Sequence, residues 1–314
     1  MRPTNRRQFL AQSAGAAAGV WLLPAWSRAA VMASEPSVKF PAEPRKRISV
    51  ASYPFREFIA GEQHKSGNPA IELKDFAAHV VEKFGVHYIE PWSPHFPSTD
   101  PKYLEQFRAA VDKAQAAVVD IAVDGRHSAY ALDSAERERA VSVSNHWIDV
   151  AVTLGSPSIR THIQEAKDSK LDVGRTAETL LRVVDYASKK NVVVHLENDN
   201  PLSEDPFFIV QVIEKVNSPW LRALPDFGNS LAAHDEDFAY RGVEAMFAHA
   251  YGICHVKEGG VNDAGKVVHV DLAKTFAILK KHAYKGYCSI EYDQPGDPYK
   301  PTAELIEKTV RFLS

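Results

Sequence analysis

From residue 47 onward, short apolar runs alternate with longer segments whose apolar residues fall three and four apart. The runs read "RISVASY", "VHYIEPW", "AVVDIAVDG", "SPSIRTH", "VVVHLEN", "LRALPDFGN", "GICHVKEGG" and "YCSIEYDQP". Each is short and rich in β-branched residues, as expected of a strand buried on both faces. Between them lie "ELKDFAAHVVEKFG", "YLEQFRAAVDKAQ", "RERAVSVSNHWIDVAVTLG", "TAETLLRVVDYASKK", "PFFIVQVIEKV", "YRGVEAMFAH" and "DLAKTFAILKKH", with "AELIEKTVRFL" after the last run. All have the spacing of a helix with one buried face. Eight strand–helix units without adjacent hairpins predict a single closed (β/α)8 barrel over residues 47–314. An open nucleotide-binding sheet would carry a glycine-rich turn after its first strand, and "ASYPFRE" has no glycine.

The chain before residue 47 changes the picture of where such a barrel works. "TNRRQFLAQSAGAAAGVWLLPAWSRAA" pairs two arginines with Phe9 and Leu10 and then runs into Ala and Gly, the pattern of a twin-arginine export signal over residues 1–33. Its apolar part contains Gly15, Gly19 and Pro24 and falls short of the ~20 residues a spanning helix needs. Cleavage near Ala29, Ala30 or Ala33 is expected rather than a stable membrane anchor, with a periplasmic or otherwise exported destination. Residues 34–46, rich in proline, read as a spacer. This export route carries folded proteins, which suits a chain that takes up its cofactor before release.

The first 33 residues hold four arginines and no acid, so the rest has 33 basic against 40 acidic residues and a formal charge of −7. Such a balance disfavours nucleic acid and anionic membrane as partners. The only cysteines, Cys254 and Cys288, lie in strand runs, at positions of opposite parity to the polar strand-end residues. Both are expected outside the barrel wall, buried and reduced.

In a parallel barrel the polar residues that end the strands converge at one mouth. The four late strands end in Glu197, Asp226, His255 and Glu291. Three carboxylates meeting one imidazole would repel one another unless a cation sat among them. One divalent ion is therefore expected, with Mn²⁺ first and Mg²⁺, Co²⁺ or Zn²⁺ as alternatives for three oxygens and one nitrogen. Strand alternation adds Arg160, His162, His195 and Lys257 as inward-pointing candidates for substrate binding. Glu90 and Trp92, ending "YIEPW", are candidate pocket-lining residues, as are Tyr53 and Phe55 with less support.

The endings "HLEN", "DFGN", "HVK" and "IEY" of strands five to eight resemble the xylose isomerase-like barrel superfamily, the sugar phosphate isomerase/epimerase group. The resemblance spans the whole barrel. It implies metal ligation by Glu197, Asp226, His255 and Glu291, with both glutamates moving protons, and a small-molecule sugar substrate. Asn229 stands where the keto-sugar epimerases carry a histidine, and an amide can bind a sugar oxygen but not carry a proton.

The expected chemistry is removal of a proton next to a carbonyl through an enediolate, with Glu197 and Glu291 as the acid/base pair. Export favours an unphosphorylated sugar or keto-sugar. Isomerase or epimerase comes first, β-elimination by a lyase or dehydratase on a 3-keto-sugar or glycoside second, and a non-catalytic sugar-binding barrel third. A homo-oligomer is open on this evidence from the chain.

Overall fold

The computed structural model describes residues 35–262 and 264–314. The expected export signal and its cleavage points lie outside these residues. Eight parallel strands form the barrel: β1 (Ile48–Ala51), β2 (Tyr88–Glu90), β3 (Ala117–Val118), β4 (Ser158–Thr161), β5 (Val193–Glu197), β6 (Leu221–Leu224), β7 (Ile253–Val256) and β10 (Tyr287–Ile290). Regular pairing runs β3-β2-β1-β10-β7 and, separately, β4-β5-β6. Single bridges join the two groups: Ala122 pairs with Arg160 past the end of β3, and Asp226 pairs with His255 between β6 and β7. The ring is thus continuous, as the alternation of runs predicts.

Local sequence sets the ends of the elements. Asp205 accepts from the Phe207 and Phe208 N–H groups at 3.0 Å and Pro206 opens the helix Pro206–Val216, which Asn217 ends in the left-handed region. Asp133 caps the helix Ser134–Leu154, and Gly155 stops it at φ 75°. The helices bury their apolar stripes against the outer wall, while all five residues of β5 are buried.

One element departs from expectation. After β7 an antiparallel hairpin, β8 (Gly259–Val261) with β9 (Val267–His269), precedes the helix Leu272–Lys281. The run "EGGVNDAGKVVHV" has a tight polar turn inside it, where the Asn262 side chain accepts from the Ala264 and Lys266 N–H groups at 3.1 and 2.8 Å. The eighth barrel strand is therefore the tenth in the chain. At the opposite end, Phe40 packs edge-on against Tyr251 and Tyr287, with ring centroids 5.3 and 5.8 Å away, so part of the proline-rich stretch lies across the barrel floor. Cys254 and Cys288 are fully buried in the wall as free thiols, on paired positions of β7 and β10 with sulfurs 3.8 Å apart.

Candidate active site and metal centre

Four strand ends bring the four expected ligands together. Glu197 closes β5, Asp226 follows β6 after Pro225 breaks its ladder, His255 lies within β7 and Glu291 follows β10. One ligand atom from each lies within 4.8 Å of all the others. His255 Nδ1 faces the three carboxylates, 2.8 Å from Glu197 Oε1, 3.1 Å from Glu291 Oε2 and 3.7 Å from Asp226 Oδ2. Asp226 is held from its other side: its Oδ1 accepts from the Gly228 and Asn229 N–H groups at 2.8 and 2.7 Å.

The donor set fits a divalent cation. Asp226 Oδ2 and Glu291 Oε2 are buried and lack a well-formed hydrogen bond. Burial, reinforced by the charges of Glu197 and Glu291, pushes the Asp226 carboxyl up to about 7 despite the nearby Lys257. Burial would also lower the His255 imidazole, yet Glu197, Glu291 and Glu90 outweigh it and hold that pKa well above its ordinary value. A proton on Nδ1 does part of what a metal ion would do there: it places positive charge among the carboxylates.

Behind the ligands the structure corrects two expectations. Glu90 does not line the pocket; at 1% exposure it sits behind His255, with Oε1 2.8 Å from Nε2, and takes a hydrogen bond of 2.5 Å from Ser289. His195 does not line the pocket either. Fully buried below the ligand layer, it contacts Asp120 Oδ1 through Nδ1 at 3.0 Å and accepts from the Gly252 N–H through Nε2 at 3.3 Å. Strand parity put His195 inside the barrel and a strand-end position suggested Glu90, but both side chains lie below the mouth along the barrel axis. Phe55 is likewise core, packed against Phe76, Phe84 and Tyr299.

Above the ligands opens a pocket of about 260 Å³, lined by Glu197, Glu291, Arg160, Lys257, Asn229, Trp92 and Tyr53 among others. Arg160 and Lys257 are in place but already engaged. Arg160 Nε lies 3.0 Å from Glu197 Oε2, and its Nη1 lies 3.1 Å from Asp124 Oδ1. Lys257 Nζ stands 3.1 Å from Glu291, 3.3 Å from Asp226 and donates to Asn229 Oδ1 at 2.8 Å. Asn229 in turn donates to Glu197 at 3.3 Å. Trp92 and Tyr53 meet edge-to-face, with centroids 5.0 Å apart.

These cations set the state of the two glutamates. Burial alone would raise Glu197, but His255 and Arg160 prevail and hold it below the ordinary carboxylate value. For Glu291 burial is likewise outweighed, by His255 and Lys257, and its carboxyl falls well below the usual range. Both are therefore ionised at neutral pH.

His162 does not line this pocket. Its Nδ1 contacts Glu204 at 2.8 Å and its Nε2 contacts Asp124 at 3.2 Å and Asp199 at 3.4 Å. These four form a second cluster, but Glu204 already accepts from the Ile163 and Asn200 N–H groups at 2.7 and 3.0 Å and both ring nitrogens are used. It is a clamp rather than an open ligand set. Sequence reasoning missed Asp124, Asp199, Asp293 and Glu204. The first three had a signal: Asp124 ends the third run, and Asp199 and Asp293 lie two residues past Glu197 and Glu291. Glu204, seven residues past β5, had none.

The profile of the family described as xylose isomerase-like TIM barrel matches residues 78–314, and the chain belongs to that family. Among solved structures it resembles the D-allulose 3-epimerase from Methylomonas sp., with TM-score 0.67 and 16% identity over 88% of this chain and 100% of that one. A xylose isomerase-like TIM barrel protein from Mycobacterium smegmatis, solved in complex with magnesium, matches at TM-score 0.62 and 18% identity over 85% and 96% of the two chains. The 3-keto-D-glucoside 4-epimerase from E. coli matches at TM-score 0.60 and 13% identity over 84% and 98%. No curated protein sequence matches the chain.

Proposed function

We propose that the chain is a metal-dependent isomerase or epimerase of an unphosphorylated sugar or keto-sugar, working outside the cytoplasm. The observation that carries this reading is the placing of Glu197, Asp226, His255 and Glu291, with ligand atoms within 4.8 Å of one another, on the floor of a pocket that Glu197 and Glu291 also line. The fold neighbours whose names include sugar epimerases lend it support. Those four residues would hold a divalent ion, Mn²⁺ in our reading, which would supply positive charge to a negative oxygen developing beside the carbon that loses its proton.

The chain's own groups do the rest. Glu197 and Glu291 come from strands three places apart around the ring; one, ionised, accepts the carbon-bound proton, and the other delivers to carbon a proton it has first taken up from solvent. Delivery to the opposite face of the same carbon gives an epimer; delivery to the neighbouring carbon interconverts aldose and ketose. Asn229 donates a hydrogen bond and fixes Lys257, but it cannot exchange a proton at neutral pH. That amide supports the second reading, elimination from a 3-keto-glycoside, in which the proton is not returned to carbon.

The test is incubation of the metal-loaded protein with free sugars and 3-keto-glycosides in D₂O. Solvent deuterium at a carbon next to the carbonyl, with an epimer or isomer as product, is expected. An unsaturated product would favour elimination, and no exchange with any sugar would leave a binding protein.

A further inference from the structure

The pocket walls carry carboxylates beyond those of the four candidate ligands and, among the described residues, no free cation. Asp124, Asp199 and Asp293 line the same space as Glu197 and Glu291. Its two cations are both committed, Arg160 to Asp124 and Glu197 at 3.1 and 3.0 Å, Lys257 to Glu291 and Asp226 at 3.1 and 3.3 Å. An anionic sugar would find no unpaired positive side chain there and would meet further negative charge, which costs binding free energy.

A neutral polyol meets the reverse situation. An ionised carboxylate accepts hydroxyl hydrogens on both oxygens, and such charge-assisted bonds are the stronger kind. Asp124 and Asp199, with side chains 35% and 45% exposed, stand on the β3 and β5 sides of Arg160, which rises from β4 between them. His162 braces both through one nitrogen, at 3.2 and 3.4 Å. Arg160 Nε is buried and, despite its 3.0 Å approach to Glu197, lacks a well-aligned acceptor. Arg160 and His162 thus hold two partly exposed carboxylates on the pocket wall, whose remaining lone pairs suit the hydroxyls of a sugar.

We propose that Asp124 and Asp199, the former held by Arg160 and both by His162, form a hydroxyl-binding subsite that selects a neutral polyhydroxylated sugar and refuses uronates and sugar phosphates. This rests on the sugar reading of the same pocket and names the charge class of the substrate and the residues that choose it. Their carboxylates hold the hydroxyls away from the reacting carbon, while Glu197 and Glu291 work beside the metal centre.

Calorimetric binding to the metal-loaded full chain tests it, using D-glucose against D-glucuronate and D-glucose 6-phosphate, and D-fructose against D-fructose 6-phosphate. At least one neutral sugar should bind about tenfold or more tightly than its anionic counterparts, the size of one charge-assisted hydrogen bond. Asp124→Asn and Asp199→Asn should each weaken that binding by about tenfold and narrow the gap to the anions, with metal content unchanged and the protein still folded by circular dichroism. Equal or tighter binding of the anions, full affinity in both Asn variants, or no binding of either neutral sugar overturns the proposal. Deuterium exchange separates it from the reaction: neutral-sugar binding without exchange keeps the subsite and removes the epimerase, and exchange with an anionic preference does the opposite.

Discussion

Glu90 and His255 form a buried pair in which the carboxylate Oε1 lies 2.8 Å from the imidazole Nε2, on the side away from the other carboxylates. A carboxylate at that nitrogen fixes the proton there and leaves Nδ1 as the atom turned to Glu197, Asp226 and Glu291. Ligating histidines are commonly oriented in this way, and losing the partner costs about 10–100-fold in metal affinity. Glu90→Gln should weaken metal binding by that factor in a competitive chelator titration, with the fold intact by circular dichroism. Unchanged affinity would show that packing alone orients the ring.

The ligand set itself predicts one equivalent of divalent metal in protein purified without added ions. Asp226→Ala and His255→Ala should lose it, because each removes one of four donors that lie within 4.8 Å of one another. Elemental analysis of both variants decides the matter; retention of full metal content in both excludes this centre.

Why the ligands were legible from sequence and Glu204 was not follows from where each residue sits on the barrel. Strand ends are announced by apolar runs that stop, so Glu197, Asp226, His255 and Glu291 could be read as one layer. Alternation gives the face of the wall but not the height along the axis. His195, placed by parity, and Glu90, placed by its strand end, lie under the four candidate ligands, where they bond Asp120 and His255 and do not line the pocket. Glu204 comes from the loop after β5, whose path depends on the contacts of Asn200 and Ile163 and leaves no period in the sequence. The hairpin after β7 was hidden for a related reason: its strands are only three residues each, too short to show a period, and Val261 and Val267 are exposed while Val268 packs against the core.

Gly252 offers a test of the layer beneath the site. A Cβ built there would lie 2.6 Å from His195 Cε1 and 2.7 Å from Nε2, and the ring is pinned by Asp120 at 3.0 Å. Gly252→Ala should therefore destabilise the fold by about 1–3 kcal/mol, the cost of overpacking a filled core. Urea denaturation measures it, and a loss under a few tenths of a kcal/mol would mean that His195 has room to move.

His162 should make stability depend on alkaline pH. Burial and the Arg160 charge would lower its pKa, but Glu204 and the hydrogen bonds to Asp124 and Glu204 push it up to about 10. Asp199 is the remaining acid facing the ring, at 3.4 Å. A folded-state pKa above the unfolded value of about 6.5 means that the stabilisation is complete below that pH and is lost as pH climbs toward 10. The stability gap between wild type and His162→Asn, taken from urea midpoints at several pH values, should shrink across that window. A gap that stays constant from pH 6 to about 10 would show that the ring is uncharged in the folded protein.

Glu197 and Glu291 are asked to do two things, to hold a metal ion and to move a proton, and substitution by glutamine separates them. Gln keeps the size and one oxygen donor but loses the basic site, so metal affinity should fall modestly while turnover drops by the ~10²-fold or more typical of a lost general acid or base. Asn229→Ala should behave differently. Its amide bonds Lys257 and Glu197 at 2.8 and 3.3 Å without carrying a proton, so its loss should act mainly on the substrate concentration required. Steady-state kinetics and deuterium exchange on the three metal-loaded variants distinguish the roles. If Glu197→Gln and Glu291→Gln both hold metal and retain near-normal turnover, proton transfer by this pair is wrong, and the acid and base must be sought elsewhere in the pocket.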